Sequence, residues 1–363
     1  MNFKLSNLKR LQNLDVLRFL LASIVVFYHV PMLCRNQGLP FFSDAPIFNR
    51  GKEAVYMFFV LSGFLIIRLI YLAKQRDVFS IKKFYIRRIL RIFPLYYLIV
   101  TFGLLFYYVI LPFFKIPYEN NYNLFEGILL SVFFLPNVFR ELYMPGGILE
   151  VLWSIGIEEQ FYIIIAPLLF FIKKNRVLKT LVILTLVYFV VFHLDVLYYL
   201  EKFRLVYFLL FSGGIVAILE EKKKLEFLKT SFVIPLFITV TTLLYFITDV
   251  IVFNTVWLNN LIIMVLFSLC IHTLAHNNFG VAIKNKTLNY FGEISYGIYM
   301  YHVIVLNAVV FIFLKVDTIN IFNDTITILL IYMLTFALTL LIAHFSYTYF
   351  ETYFLKLKNK FRE

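Results

Sequence analysis

The sequence predicts an all-α, polytopic integral membrane bundle of about ten transmembrane helices, with one short outer-face or re-entrant segment added. Three observations carry that reading. Of 363 residues, 62% are hydrophobic and 15% charged, with mean hydropathy +0.85. A water-soluble domain runs near half apolar and about a quarter charged. The apolar residues also come in runs long enough to cross a bilayer. Finally, the basic residues gather in short clusters between those runs. The net charge of +13 therefore reads as the cytoplasmic bias of membrane loops, and no nucleic-acid partner is expected.

The runs fall at 16–34, 53–73, 93–114, 152–172, 180–195, 204–219, 231–250, 256–275, 294–314 and 324–350. The first follows Lys4, Lys9 and Arg10, as in a signal peptide. It ends Tyr28-His29-Val30-Pro31-Met32-Leu33 with no small-residue cleavage site, so it reads as an uncleaved span. The stretch 124–139 is apolar but short, and ends Leu135-Pro136-Asn137.

Basic clusters set the orientation. They are Lys74 to Arg91, Lys173 to Lys179, Lys222 to Lys229 and Lys356 to Arg362. If 124–139 does not cross, all of them share the side of the N-terminus; if it crosses, three land outside, against the positive-inside tendency. The expectation is a multi-pass protein of the inner (cytoplasmic) membrane with ten spans and both termini cytoplasmic. One membrane-embedded domain covers 1–363, with no room for a further soluble one. The outer segment 115–151, with its Pro145-Gly146-Gly147 turn, reads equally as a lid, an acceptor-facing surface or a plain connection. Cys34 and Cys270 fall near opposite faces, which argues against a disulfide, and no metal-ligand spacing occurs.

Ionisable groups inside spans are costly and usually face the bundle interior. Four places stand out. Arg18 and His29 share one helix face, about 20° apart in rotation and roughly 16 Å apart along the axis. Glu158 and Glu159, within Trp153-Ser154-Ile155-Gly156-Ile157-Glu158-Glu159-Gln160, lie about 20 Å from the cytoplasmic end if their span ends at Ile172, close to the depth of His29. At one level, a carboxylate could orient a histidine for general base work. The plainer alternative starts that span at Gln160 and leaves both carboxylates in the interface. Arg87-Arg88-Ile89-Leu90-Arg91 is either a topology anchor or, with Arg87 and Arg91 four apart, a phosphate grip of forked donors. Ser295, Tyr299 and His302 follow i, i+4, i+7, a stripe suited equally to interhelical hydrogen bonds and to a site.

Taken in order, these segments resemble the acyltransferase-3 family of membrane-bound O-acyltransferases acting on bacterial surface glycans and related lipids. The blocks are Leu14-Asp15-Val16-Leu17-Arg18 through His29; Glu53 through Ser62-Gly63-Phe64-Leu65; Arg87-Arg88 through Pro94; Leu152-Trp153-Ser154 through Tyr162; and, more weakly, Gly292 through His302. A usual Glu-Arg-Pro-like close is absent, since Thr352-Tyr353 follows Glu351.

The resemblance implies transfer of an acyl group, typically acetyl, from cytosolic acetyl-CoA or another acyl-CoA to an acceptor hydroxyl, without a metal. It makes His29 the base, with Arg18 as companion, and Glu158 or Glu159 the group that orients it and stabilises its charged form. Arg87, Arg88 and Arg91 would bind the CoA, with Ser62 and Gly63 in a packing and pore-lining block beside it. Ser295, Tyr299 and His302 would position the acceptor. The implied partners are a glycan or glycolipid acceptor, membrane lipids and a polysaccharide-synthesis machinery. Two other readings stay open: a glycan or lipid transporter (flippase) without covalent chemistry, and a helper subunit of a polysaccharide synthase.

Overall fold

The computed structural model describes residues 11–42, 44–229, 231–275, 283–315 and 323–361. No strand occurs among the described residues. That is what a bilayer demands of an open chain, because only a helix satisfies its backbone groups within its own segment.

In chain order the principal helices are α1 Gln12–Asn36, α2 Gly51–Gln75, α3 Ile81–Leu105, α4 Leu124–Val132, α5 Pro136–Tyr143, α6 Trp153–Phe171 and α7 Val177–Phe192. There follow α8 Tyr207–Glu221, α9 Val233–Ile247, α10 Val256–Ala275, α11 Lys286–Glu293, α12 Ser295–Lys315, α13 Asp324–Phe345 and α14 Thr352–Lys358. α3 continues through a π-helical turn, Phe106–Ile110, and another, Ser346–Glu351, joins α13 to α14.

Each predicted apolar run is helical, but among the described residues eight helices are long and apolar enough to cross a membrane. The two that fall short are α8 and α9, with 15 residues each. Such a helix spans roughly 22 Å against about 30 Å of hydrocarbon core. The stretch 124–139 breaks into α4 and α5 at Phe133–Leu135, where Phe134 takes a positive φ of 55°. Neither piece is long enough to cross. The cluster Lys82 to Arg91 lies on the opening turns of α3, with Ser80 as its N-cap, and not in a loop ahead of the span. Lys4, Lys9, Arg10 and Arg362 lie outside the described residues.

The chain divides into two compact units. Among the described residues, unit A takes 11–68 and Leu209–Tyr347; unit B takes Leu69–Phe208 and the residues from Thr348.

In unit A, α1 packs among α10, α11, α12 and α13. Val30 and Cys34 meet Val305, Leu306, Val309 and Ile331, while Phe19, Ala22 and Val26 meet Ile294, Ile298 and Ala343. Two glycines let α2 and α8 cross at backbone contact. A Cβ at Gly63 would stand 1.9 Å from the Leu210 carbonyl oxygen, and one at Gly213 1.9 Å from that of Val60. Close approach through small residues is how helices associate where lipid offers no hydrophobic drive. Polar ties reinforce the unit: Arg68 Nε to Glu221 at 2.6 Å, Arg50 to Asp249, His272 Nδ1 to Glu220 at 3.2 Å, and Ser268 donating to Ser212 at 3.0 Å.

In unit B, the α4–α5 segment is sewn to α6. Gly156 admits the Pro136 ring, and Gln160 donates to the Phe134 carbonyl (2.7 Å) and to Asn137 Oδ1 (2.8 Å). Asn137 donates in turn to the Phe203 carbonyl at 3.0 Å. Trp153 is buried, with the guanidinium carbons of Arg140 and Arg204 at 5.7 and 5.3 Å from its ring. Those arginines reach Glu150 and Glu141. The loop before α4 is packed down as well: Tyr118 stacks on Tyr107, and burial, with Glu150 nearby, pushes its phenol up to about 12.

Candidate active site

α1 carries the first set of groups, all in unit A. Arg18 Nη1 donates to Asp15 Oδ1 at 2.6 Å, one turn back on the same helix. Asp15 is buried, and its own backbone carbonyl is covered by α11, where only Gly292 leaves room: a Cβ there would lie 2.1 Å from the Asp15 oxygen. Three turns on, His29 is half-buried, with the Tyr28 ring edge-on at 5.0 Å. Its Nδ1 lies 2.8 Å from the Val25 carbonyl oxygen and 3.1 Å from Nε2 of His302. His302 is wholly buried on α12, and its Nδ1 is 2.5 Å from the Tyr299 carbonyl oxygen. Of the other residues in the α12 stripe, Tyr299 sets its ring 5.7 Å from that of His302, and Ser295 donates to the Gly292 carbonyl at 2.9 Å.

Unit B holds the second set. α6 begins at Trp153, so the helix itself starts ahead of Gln160 and Glu158 and Glu159 lie in its second turn. Glu158 Oε2 accepts from the Tyr162 hydroxyl at 2.8 Å. Glu159 is buried, and its Oε1 has no hydrogen-bond partner among the described residues. Arg88 lies over the Tyr162 ring at 5.8 Å, within electrostatic reach of both Glu159 and Arg91. Tyr85 braces the same corner by donating to the Ile163 carbonyl at 2.9 Å. Arg87 and Arg91 are one helical turn apart on α3, Arg91 exposed and Arg87 half-buried.

The structure thus joins His29 to His302 within unit A, and Arg88 to the Glu158–Glu159 turn within unit B. Ser62 is half-buried on α2, beside the crossing at Gly63. Three polar contacts escaped the sequence reading. Asp15 was legible as the residue three before Arg18, and Tyr162 as four after Glu158, both standard helix neighbours. The buried His272–Glu220 pair joins two helices, and its only signal was a histidine and a carboxylate at the ends of apolar runs.

A helical membrane protein that keeps imidazole, guanidinium and carboxylate groups on its apolar helices is built to do polar chemistry at the bilayer. Its family is plain from the match: residues 11–344 correspond to the acyltransferase-3 family (Acyltransferase domain), and the chain belongs to it. An uncharacterised protein of Haemophilus influenzae is 35% identical over 144 residues, 37% of this chain. The peptidoglycan O-acetyltransferase OatA of Listeria monocytogenes is 31% identical over 176 residues, 46% of this chain. The matched stretches span 56% and 25% of those proteins' own lengths. No solved structure matches.

Proposed function

We propose that the chain is a membrane O-acyltransferase that moves an acyl group, acetyl in the first instance, from cytosolic acyl-CoA to a hydroxyl of a surface polysaccharide, lipid-linked glycan or similar acceptor. The observation that carries this reading is a half-buried histidine, His29, on the same helix as the Asp15-braced Arg18, in a chain of this family. The Listeria relative, named a peptidoglycan O-acetyltransferase, supports a glycan acceptor.

His29 removes the proton from the acceptor hydroxyl as its oxygen attacks the thioester carbonyl. The tetrahedral intermediate collapses with cleavage of the C–S bond, and the imidazolium returns the proton to the departing thiolate. Ester and free CoA thiol are the products, with no proton gained or lost. Arg18 polarises the thioester carbonyl or grips a CoA phosphate, its swing restricted by Asp15. Arg87, Arg88 and Arg91 take the remaining phosphates, as forked donors one turn apart suit. Ser62 and Gly63 flank the donor, and Ser295 and Tyr299 position the acceptor. Both termini are cytoplasmic in this scheme, the membrane is the inner one, and a polysaccharide-synthesis machinery supplies the acceptor.

The test is mass spectrometry of surface glycan from a deletion strain, its complement, and a His29→Ala complement with equal membrane levels of protein. An acyl mass present only with intact protein is expected, and its size names the donor. Unchanged acylation with lost or misplaced glycan would instead favour a transporter.

A further inference from the structure

We propose that His302 is a positioning residue that, together with the Val25 carbonyl, fixes the tautomer of His29, holding the proton on Nδ1 and assigning the chemistry to Nε2. This rests on the reading of His29 as the base. It assigns to His302, read from the sequence as acceptor-positioning but wholly buried, the orienting role that the sequence gives to Glu158 or Glu159.

Two carbonyl oxygens, which can only accept, fix where the protons sit. His302 Nδ1 lies 2.5 Å from the Tyr299 oxygen, and the Ile298 carbonyl is a further acceptor for the same ring. That nitrogen must therefore carry the proton, and a neutral His302 presents a bare lone pair at Nε2. His29 Nδ1 lies 2.8 Å from the Val25 oxygen, so it too must be protonated. Its proton is shared between the Val25 carbonyl and His302 Nε2, 3.1 Å away. The reverse arrangement, with His302 Nε2 donating to His29 Nδ1, would turn a lone pair of His29 towards the Val25 oxygen. It would also leave His302 either doubly protonated or with a lone pair facing Tyr299.

Exposure separates the two rings. His302 has none, so no substrate reaches it, whereas His29 is only half-buried. The rings sit 4.8 Å apart and tilted by 58°, which aims one nitrogen of each at the other without stacking them. When His29 takes up a proton at Nε2, its Nδ1–H becomes a charge-assisted donor to His302, and that bond strengthens just as positive charge develops. A neutral partner does this without placing a permanent charge in the apolar core formed by α1 and α12.

The test pairs activity with a spectroscopic signature. In ¹⁵N-histidine-labelled protein in bilayers, solid-state NMR reads which ring nitrogen of His29 is protonated, its signals assigned by their loss in His29→Asn. The wild type should be Nδ1-protonated, and His302→Phe should shift His29 to a mixed or Nε2-protonated state. With acetyl-CoA and purified glycan, His302→Phe should lower kcat at least 10-fold with KM for the donor unchanged, and His302→Gln, whose carbonyl can accept, should restore part of it. A wild-type His29 protonated on Nε2 overturns the proposal, and so does a His302→Phe protein with unaltered His29 tautomer. If His302→Phe does not fold, the wild-type spectrum still decides. A wild type inert towards every acyl-CoA would sink the base assignment alone, since the tautomer is read without turnover.

Discussion

Arg18 is only as useful as its tether. Its guanidinium is partly exposed, while Asp15 is buried and fixed by the α11 backbone at Gly292. Asp15→Asn keeps the shape and removes the charge, so Arg18 gains freedom and loses the Asp15 ion pair. The expected outcome is a fall in kcat/KM of about 10-fold, with a stability cost of roughly 1–3 kcal/mol for weakening a charged, partly buried hydrogen bond. Steady-state kinetics beside a thermal melt in detergent checks both. An unchanged kcat/KM with a lowered melting temperature would reduce the pair to a structural role. This pairing was legible because three-residue spacing on a helix fixes a neighbourhood. The contact of His29 with His302 was not, because 273 residues separate them and one sequence carries no signal of which helix faces which.

The crossing of α2 and α8 shows what a helix scale can and cannot read. Ser62-Gly63 stood out as a block, yet its counterpart is Gly213 within an unremarked apolar run, and the two matter only together. A methyl at Gly63 or Gly213 has a backbone oxygen 1.9 Å away, which cannot yield as a side-chain tip does. Gly63→Ala and Gly213→Ala should each cost at least about 1–3 kcal/mol by overpacking and lower the amount of folded protein in the membrane. Gly38→Ala is the control: nothing lies within 4 Å of the added carbon, and only its φ of +72° resists. A loss of about 1 kcal/mol is expected there, from the left-handed backbone alone. Fluorescence-detected size exclusion of tagged variants ranks all three, and equal behaviour would refute the crossing. Helix limits were harder to read than helix existence. α3 starts well before its apolar run because a charged opening turn is still good helix, and α8 begins late because Arg204, with φ +57°, turns the chain just before it.

For the molecule as a whole, the open quantity is the number of crossings. Hydropathy counted ten runs, but length leaves α8 and α9 short of an upright passage. The basic stretch after α8 discriminates. If both short helices cross, Lys223 faces the side shared by Lys82 and Lys174; if neither does, it faces the opposite side. Single-cysteine variants at 82, 174 and 223, in a Cys34→Ser, Cys270→Ser background, can be labelled with a membrane-impermeant maleimide in intact cells and after lysis. The positive-inside tendency predicts protection of all three until lysis. Labelling of position 223 alone in intact cells would leave eight crossings and strand α8 and α9 on the outer side.

The chain has two tryptophans, and they fall one to each unit. Trp153 is enclosed beneath Arg140 and Arg204, while Trp257, at the start of α10, is half exposed. The molecule therefore carries two natural optical reporters in contrasting surroundings, one enclosed by protein, the other on the surface of a candidate span. With Trp257→Phe the emission describes the arginine-bearing unit alone, and with Trp153→Phe the histidine-bearing one. A titration with acyl donor or glycan can then be assigned to its half of the protein by emission, before any product is made.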